Sequence, residues 1–191
     1  MALVLGCGEG GHATAPTTPA ADSPAPVGAI VAVSPAQLRD TVAHTVPVVV
    51  RVVSATGAGL PNYVVHFTTA GTGGTVSPTT VVSDAAGSAA AAWTLGQAAG
   101  GDTLIASVGP RTTQVVVATA VAAAPARFAL VSGDAQSDTV GAPLATPIAV
   151  RVTDAFGNAA PGASVQFAVA SGHGALSAAV SLTDSTGVAS T

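Results

Sequence analysis

The chain repeats itself at an offset of 100 residues. Val50-Arg51-Val52 returns as Val150-Arg151-Val152, Pro61 as Pro161, and the pair Val65 and Phe67 as Val165 and Phe167. Gly74, Ser77, Asp84 and Gly87 return as Gly174, Ser177, Asp184 and Gly187. The register holds without a gap from about residue 47 to 91, and Asp40-Thr41-Val42 matches Asp138-Thr139-Val140 after a two-residue shift. A fixed period means an array of equivalent units. This period is the length of a small domain, so 191 residues hold two units rather than many solenoid turns.

Each copy reads as short strands. Val48, Val50 and Val52 share one face with Arg51 on the other, and Ile148, Val150 and Val152 repeat this opposite Arg151. Alternation at period two with one apolar face marks a half-buried strand. Tyr63, Val65 and Phe67 are expected to face in, with Val64 and His66 out; Val165 and Phe167 repeat the pattern around Gln166. Ala89, Ala91, Trp93 and Leu95 alternate in phase, which makes Trp93 the expected centre of the first core rather than a sugar-stacking platform. The segments 84–87, 154–158 and 184–187 each begin with Asp and carry a Gly, as turns require. Strands at this spacing, separated by turn signals, point to a sandwich or barrel.

Composition agrees with an all-β reading and narrows the function. Hydrophobic residues make up 49%, aromatic ones 3% and charged ones 7%, so the core must be aliphatic. A disordered chain would show the reverse balance of hydrophobicity and charge. The five basic residues are scattered arginines and no lysine is present, which does not supply the clustered charge that nucleic acid binding needs. The single cysteine, Cys7, allows no intrachain disulfide, so each unit must hold by burial. No run reaches the 18 apolar residues of a transmembrane helix; the longest weakly polar one, residues 115–126, is interrupted by Thr119 and Pro125.

The second copy closely resembles bacterial Ig-like group 1 domains, the type repeated in invasin- and intimin-like adhesins. The resemblance rests on the run from Val150 to Phe167, including Asp154-Ala155-Phe156-Gly157-Asn158. Gly172-His173-Gly174 with Leu176, and Thr183-Asp184 with Gly187, extend it. In the first copy, Trp93-Thr94-Leu95-Gly96 and the stretch from Gly100 to Ala106 look like the family's closing hairpin. The first copy departs at residues 54–58, where Ser54 and Ala58 replace the acid and the Asn; this weakens the turn expectation there, not the fold. The resemblance implies β-sandwiches used as spacers or adhesive modules.

Near the start, Val4-Leu5-Gly6-Cys7 resembles a lipobox, so Cys7 is expected to carry a lipid anchor and residues 1–7 to be the remnant of a lipoprotein-type signal. Only six residues precede Cys7 and none is basic, which points to a start site further upstream. Residues 8–26, rich in Ala, Thr, Pro and Gly, read as a tether. The second copy stops at Thr191, the equivalent of Ala91, without counterparts of Trp93, Leu95, Leu104 and Ile105. The chain is therefore expected to be a fragment of a longer array or a truncated reading frame, its second copy left with exposed apolar faces and unpaired edges.

Groups that could carry chemistry are few. His12 falls in the tether, His44 near a strand start, His66 opposite the repeat position of Gln166, and His173 in a glycine loop aligned with Gly73. They share no metal-ligand spacing. Asp84, Asp154 and Asp184 sit at turn positions, and a turn role explains them without calcium. Arg51 and Arg151 share a repeat position and read as solubilising residues on outward faces. No Gly-x-Ser-x-Gly or phosphate-loop spacing occurs.

The resulting expectation is an all-β chain of tandem immunoglobulin-like β-sandwiches at residues 27–122 and 125–191, the second C-terminally incomplete. The joint near Ala122 to Pro125 is short and contains proline, which favours a rod with limited bending. The expected role is a non-catalytic stalk, spacer or adhesion module without cofactor or metal. It is expected on the outer face of the bacterial envelope, held to the membrane only through Cys7 or otherwise secreted, and facing an unidentified surface protein or glycan receptor. The alternative is an accessory region of a secreted or surface enzyme whose catalytic domain lies elsewhere. A carbohydrate-binding module is a weaker third reading, because it needs exposed aromatics.

Overall fold

The computed structural model describes residues 25–35, 37–71 and 74–191. Cys7, His12, Gly73 and the tether up to residue 24 lie outside them. Among the described residues every regular element is a β-strand.

The first unit has β1 (Ala29–Ala32), β2 (Gln37–Thr41), β3 (Thr45–Val53), β4 (Val64–Ala70), β5 (Thr75–Ser77), β6 (Thr80–Val82), β7 (Ser88–Thr94), β8 (Gly100–Val108) and β9 (Thr112–Val121). One sheet runs β1-β3-β7-β5 and the other β2-β9-β8-β4-β6. All pairings are antiparallel except β2 with β9, which is parallel. Two such sheets face to face make an immunoglobulin-like sandwich.

The core follows from the alternation. β3 sends Val46, Val48, Val50 and Val52 inward and Arg51 to solvent. Across the ladder Val48 meets Ala91, Val50 meets Ala89 and Val46 meets Trp93, so large and small side chains interdigitate. From the opposite sheet Val65, Phe67, Leu104, Ala106, Val116 and Ala118 close the interior. Each fully buried Val, Leu or Phe contributes roughly 1.5–3 kcal/mol.

Turn chemistry is shared between copies. The Asp84 Oδ1 accepts from the N–H groups of Ala86 and Ser88, both at 2.8 Å. Asp184 Oδ1 accepts from Thr186 and Val188 N–H at 2.8 and 3.0 Å, and from the Thr186 hydroxyl at 2.7 Å. Gly87 and Gly187 have φ of 83° and 80°, and a Cβ on either would stand 2.5 Å from the carbonyl oxygen of Val52 or Val152. The sequence also carried an unforeseen pair. The buried Ser83 hydroxyl donates to Leu60 O at 2.8 Å, and Thr183 does the same to Ala160 O at 2.6 Å. The residues 54–58 do turn: Ser54 Oγ accepts from Thr56 and Ala58 N–H at 3.3 and 3.2 Å, a weaker version of the Asp motif.

The second unit has β10 (Arg127–Ser132), β11 (Ala149–Thr153), β12 (Ser164–Gln166), β13 (Val180–Leu182) and β14 (Val188–Ser190). They form a β10-β11-β14 sheet and a separate β12-β13 pair. The segments aligned with β2 and β5 are irregular here. In the first unit β2 pairs with β9, and β5 with the far end of β7; among the described residues no strand pairs with the aligned segments here. The ladders otherwise agree. Ile30 faces Val52 and Phe128 faces Val152, two residues off the main register, as Asp40 and Asp138 are.

The expectation that the second set of side chains packs as the first does needs correcting in degree. Val150, Val165 and Phe167 line a common groove, yet they are only half-buried, and Val152 alone among them is buried. Phe128 is 80% exposed where Ile30 is 4% exposed, and Val140 is fully exposed where Val42 is buried. Among the described residues no strand pair faces this sheet as β8 and β9 face β1 and β3 in the first unit.

Candidate functional site

At the joint between the units polar side chains converge around a buried carboxylate. Asp154 opens the turn that follows β11. Its Oδ1 accepts from Phe156 and Asn158 N–H, both at 2.9 Å, which is the turn role expected of it. Its Oδ2 does something else. It accepts from the Asn158 side-chain amide at 2.9 Å and from Ala123 N–H at 3.0 Å, and Ala123 lies just beyond the last strand of the first unit.

Asn158 completes the link. Its Nδ2 also donates to Gln97 O at 2.8 Å, and its Oδ1 accepts from Ala99 N–H at 2.8 Å. Those two groups belong to the loop between β7 and β8. The amide orientation is forced: a flip would set NH₂ against the Ala99 N–H and the oxygen against the Gln97 carbonyl. The receiving loop is itself held from within. The buried Asp102 accepts from Gly96 N–H at 2.7 Å, fixing the loop where it leaves β7.

Asp154 is 0% exposed. Burial pushes its carboxyl up. The Asn158 side-chain amide and the N–H groups of Asn158, Ala123 and Phe156 outweigh that and hold it below the ordinary carboxylate range. Among the described residues no cation pairs with it within ion-pair distance. The charge is met by N–H dipoles, three of them from its own turn and one, Ala123 N–H, from across the joint. Three hydrogen bonds cross between the units, each worth about 1 kcal/mol net and more where the acceptor is charged.

The remaining candidates do not converge. His44 Nδ1 sits 2.7 Å from Asp40 Oδ2; this bond, then that from Thr41 N–H, lowers the Asp40 carboxyl. His66 is exposed beside Thr80, and His173 is exposed in its loop. Arg51 lies outward and donates from Nε to Ala86 O at 2.8 Å; Arg151 is exposed beside the joint. Asp184 stays at its turn, its carboxyl lowered by the Thr186 hydroxyl and then by backbone N–H groups. Trp93 is fully buried in the first core. Among the described residues no three His, Cys, Asp or Glu side chains come together in a metal-binding group.

Sequence reasoning placed Asp154 and Asn158 in a turn and Gly96 and Asp102 in the closing hairpin, and it missed that the second Asp154 oxygen and the Asn158 side chain reach across to the 96–100 loop and Ala123. A signal was present. Within a gapless register, Ser54 becomes Asp154 and Ala58 becomes Asn158, the two changes that create the link.

No family model matches the chain, and no curated protein matches it either. Solved structures do. The chain superposes on the Escherichia coli adhesin FdeC with TM-score 0.54 and 20% identity, over 84% of this chain and 52% of that one. It therefore spans about half the length of that structure. The D0-D1 domain of intimin aligns at TM-score 0.39 and 16% identity over 86% of this chain and 82% of that one. Yersinia pseudotuberculosis InvD aligns at 0.43 and 26% over 72% and 41%. The FdeC likeness shows the fold.

Proposed function

We propose that the chain is a non-catalytic surface module of the bacterial Ig-like group 1 type, serving as a stalk or spacer in adhesion. The observation that carries this reading is the joint. A buried carboxylate and one amide fix two consecutive sandwiches together across a linker of a few residues. Such a link holds a projected end at a set distance and orientation, as a stalk or spacer requires. The fold shared with FdeC, an adhesin, supports the same use. Lipidation at Cys7 would hold the chain at the outer face of the envelope.

Expression of the reading frame together with its upstream sequence in a lipoprotein-processing bacterium tests the reading. Intact cells should bind antibody to the second unit, and an alkyne-tagged fatty acid should label the protein in a Cys7-dependent manner. Retention in the cytoplasm without surface exposure would contradict it; label that survives Cys7→Ser would remove the lipid anchor from it.

A further inference from the structure

We infer that the Asp154/Asn158 pair is a docking plug that recognises the end of a preceding Ig-like unit, and that the first unit has an end built to receive a plug but carries none of its own. The inference deepens the stalk reading and rests on it for its biological use. Its partner is of stated chemistry: a sandwich rim offering one free carbonyl and two free N–H groups, as Gln97, Ala99 and Ala123 do.

The two units provide an internal comparison. At the same turn the first unit has Ser54 and Ala58. The Ser54 hydroxyl is used up within the turn, bonding Thr56 and Ala58, and Ala58 has no polar side-chain atom. Residues 55–58 are exposed. The chain entering the first unit is held differently. The Tyr63 hydroxyl donates to Ala25 O, and the position aligned with Tyr63 is Ala163. The N-terminal rim of the first unit thus keeps the backbone turn but lacks every group that reaches across the joint below it.

Two side chains on the trailing unit therefore decide whether a joint is stiff. The receiving rim needs only backbone groups, placed by Asp102. Plug and socket follow different rules: the plug is specified by two residue identities, and the socket by a loop conformation.

Double electron–electron resonance on the full chain tests this, with spin labels at the exposed positions Val82→Cys and Val180→Cys in a Cys7→Ser background. The parent should give one narrow distance distribution. Asp154→Ser with Asn158→Ala, which copies the first unit's residues into the second, should lose the narrow peak and broaden it. A broad parent distribution, or an unchanged one in the variant, overturns the plug. Gain of function guards against a variant that merely unfolds. In a chain extended by a further copy of residues 27–124 ahead of the first unit, that new joint should be broad. Ser54→Asp with Ala58→Asn should narrow it, and failure to narrow overturns the two-residue rule. A broad parent distribution would take the fixed joint from the stalk reading as well, whereas an unchanged variant or a failed gain of function overturns the two-residue rule and leaves that reading standing.

Discussion

Asp154 carries two duties on two oxygens, and its energetics can be separated by substitution. Asp154→Ser keeps a turn acceptor, as Ser54 shows, but strands the Ala123 N–H and takes from the Asn158 side-chain amide one of its two acceptors, leaving Gln97 O. The second unit should lose about 1–3 kcal/mol, measured by chemical denaturation followed with a probe in that unit. Acid should act in the same direction. A carboxyl whose folded pKa lies below its unfolded value of about 3.9 stabilises above that pH and loses its contribution as pH falls through the folded value. The parent's melting temperature should drop below about pH 4 more steeply than that of Asp154→Ser. Asp40 and Asp184, also lowered, remain in both proteins, so the difference isolates Asp154. Gly187→Ala should be destabilising by roughly 1–3 kcal/mol, because Ala must adopt positive φ with its Cβ against the Val152 carbonyl.

At the scale of strands, the hydrophobic alternation made much of the fold legible. Valines 48, 50 and 52, the Val65/Phe67 pair and Trp93 all occupy the side their phase assigns. Periodicity reports which residues share a face; it does not report whether a second layer covers that face. Phe128 and Ile30 hold equivalent ladder positions and differ in exposure because β8 and β9 cover one and not the other. Ile30→Ala should therefore cost about 2–5 kcal/mol in the first unit, while Phe128→Ala should change the second by about 1 kcal/mol or less. Equal losses in thermal melts would mean that Phe128 is covered in solution. The irregular stretches aligned with β2 and β5 teach the same lesson, since a strand sequence without its partner makes no ladder. The Asp154–Asn158 link was hidden for a related reason: local turn chemistry already explained the aspartate, and the groups it reaches lie about 30 and 60 residues away.

For the chain taken whole, the repeat supplies equivalent units and the joint sets how they act together. The central claim is that Asp154 and Asn158 lock the second sandwich onto the first. Amide hydrogen exchange by NMR reads this directly at three N–H groups. Ala99 and Ala123 donate across the joint, while Gly96 donates within the first unit to Asp102. In the parent all three should exchange slowly. In Asn158→Ala, Ala99 and Ala123 should speed up together while Gly96 stays protected. Ala99 and Ala123 amides exchanging in the parent as fast as open-loop amides, with Gly96 protected, would contradict the lock.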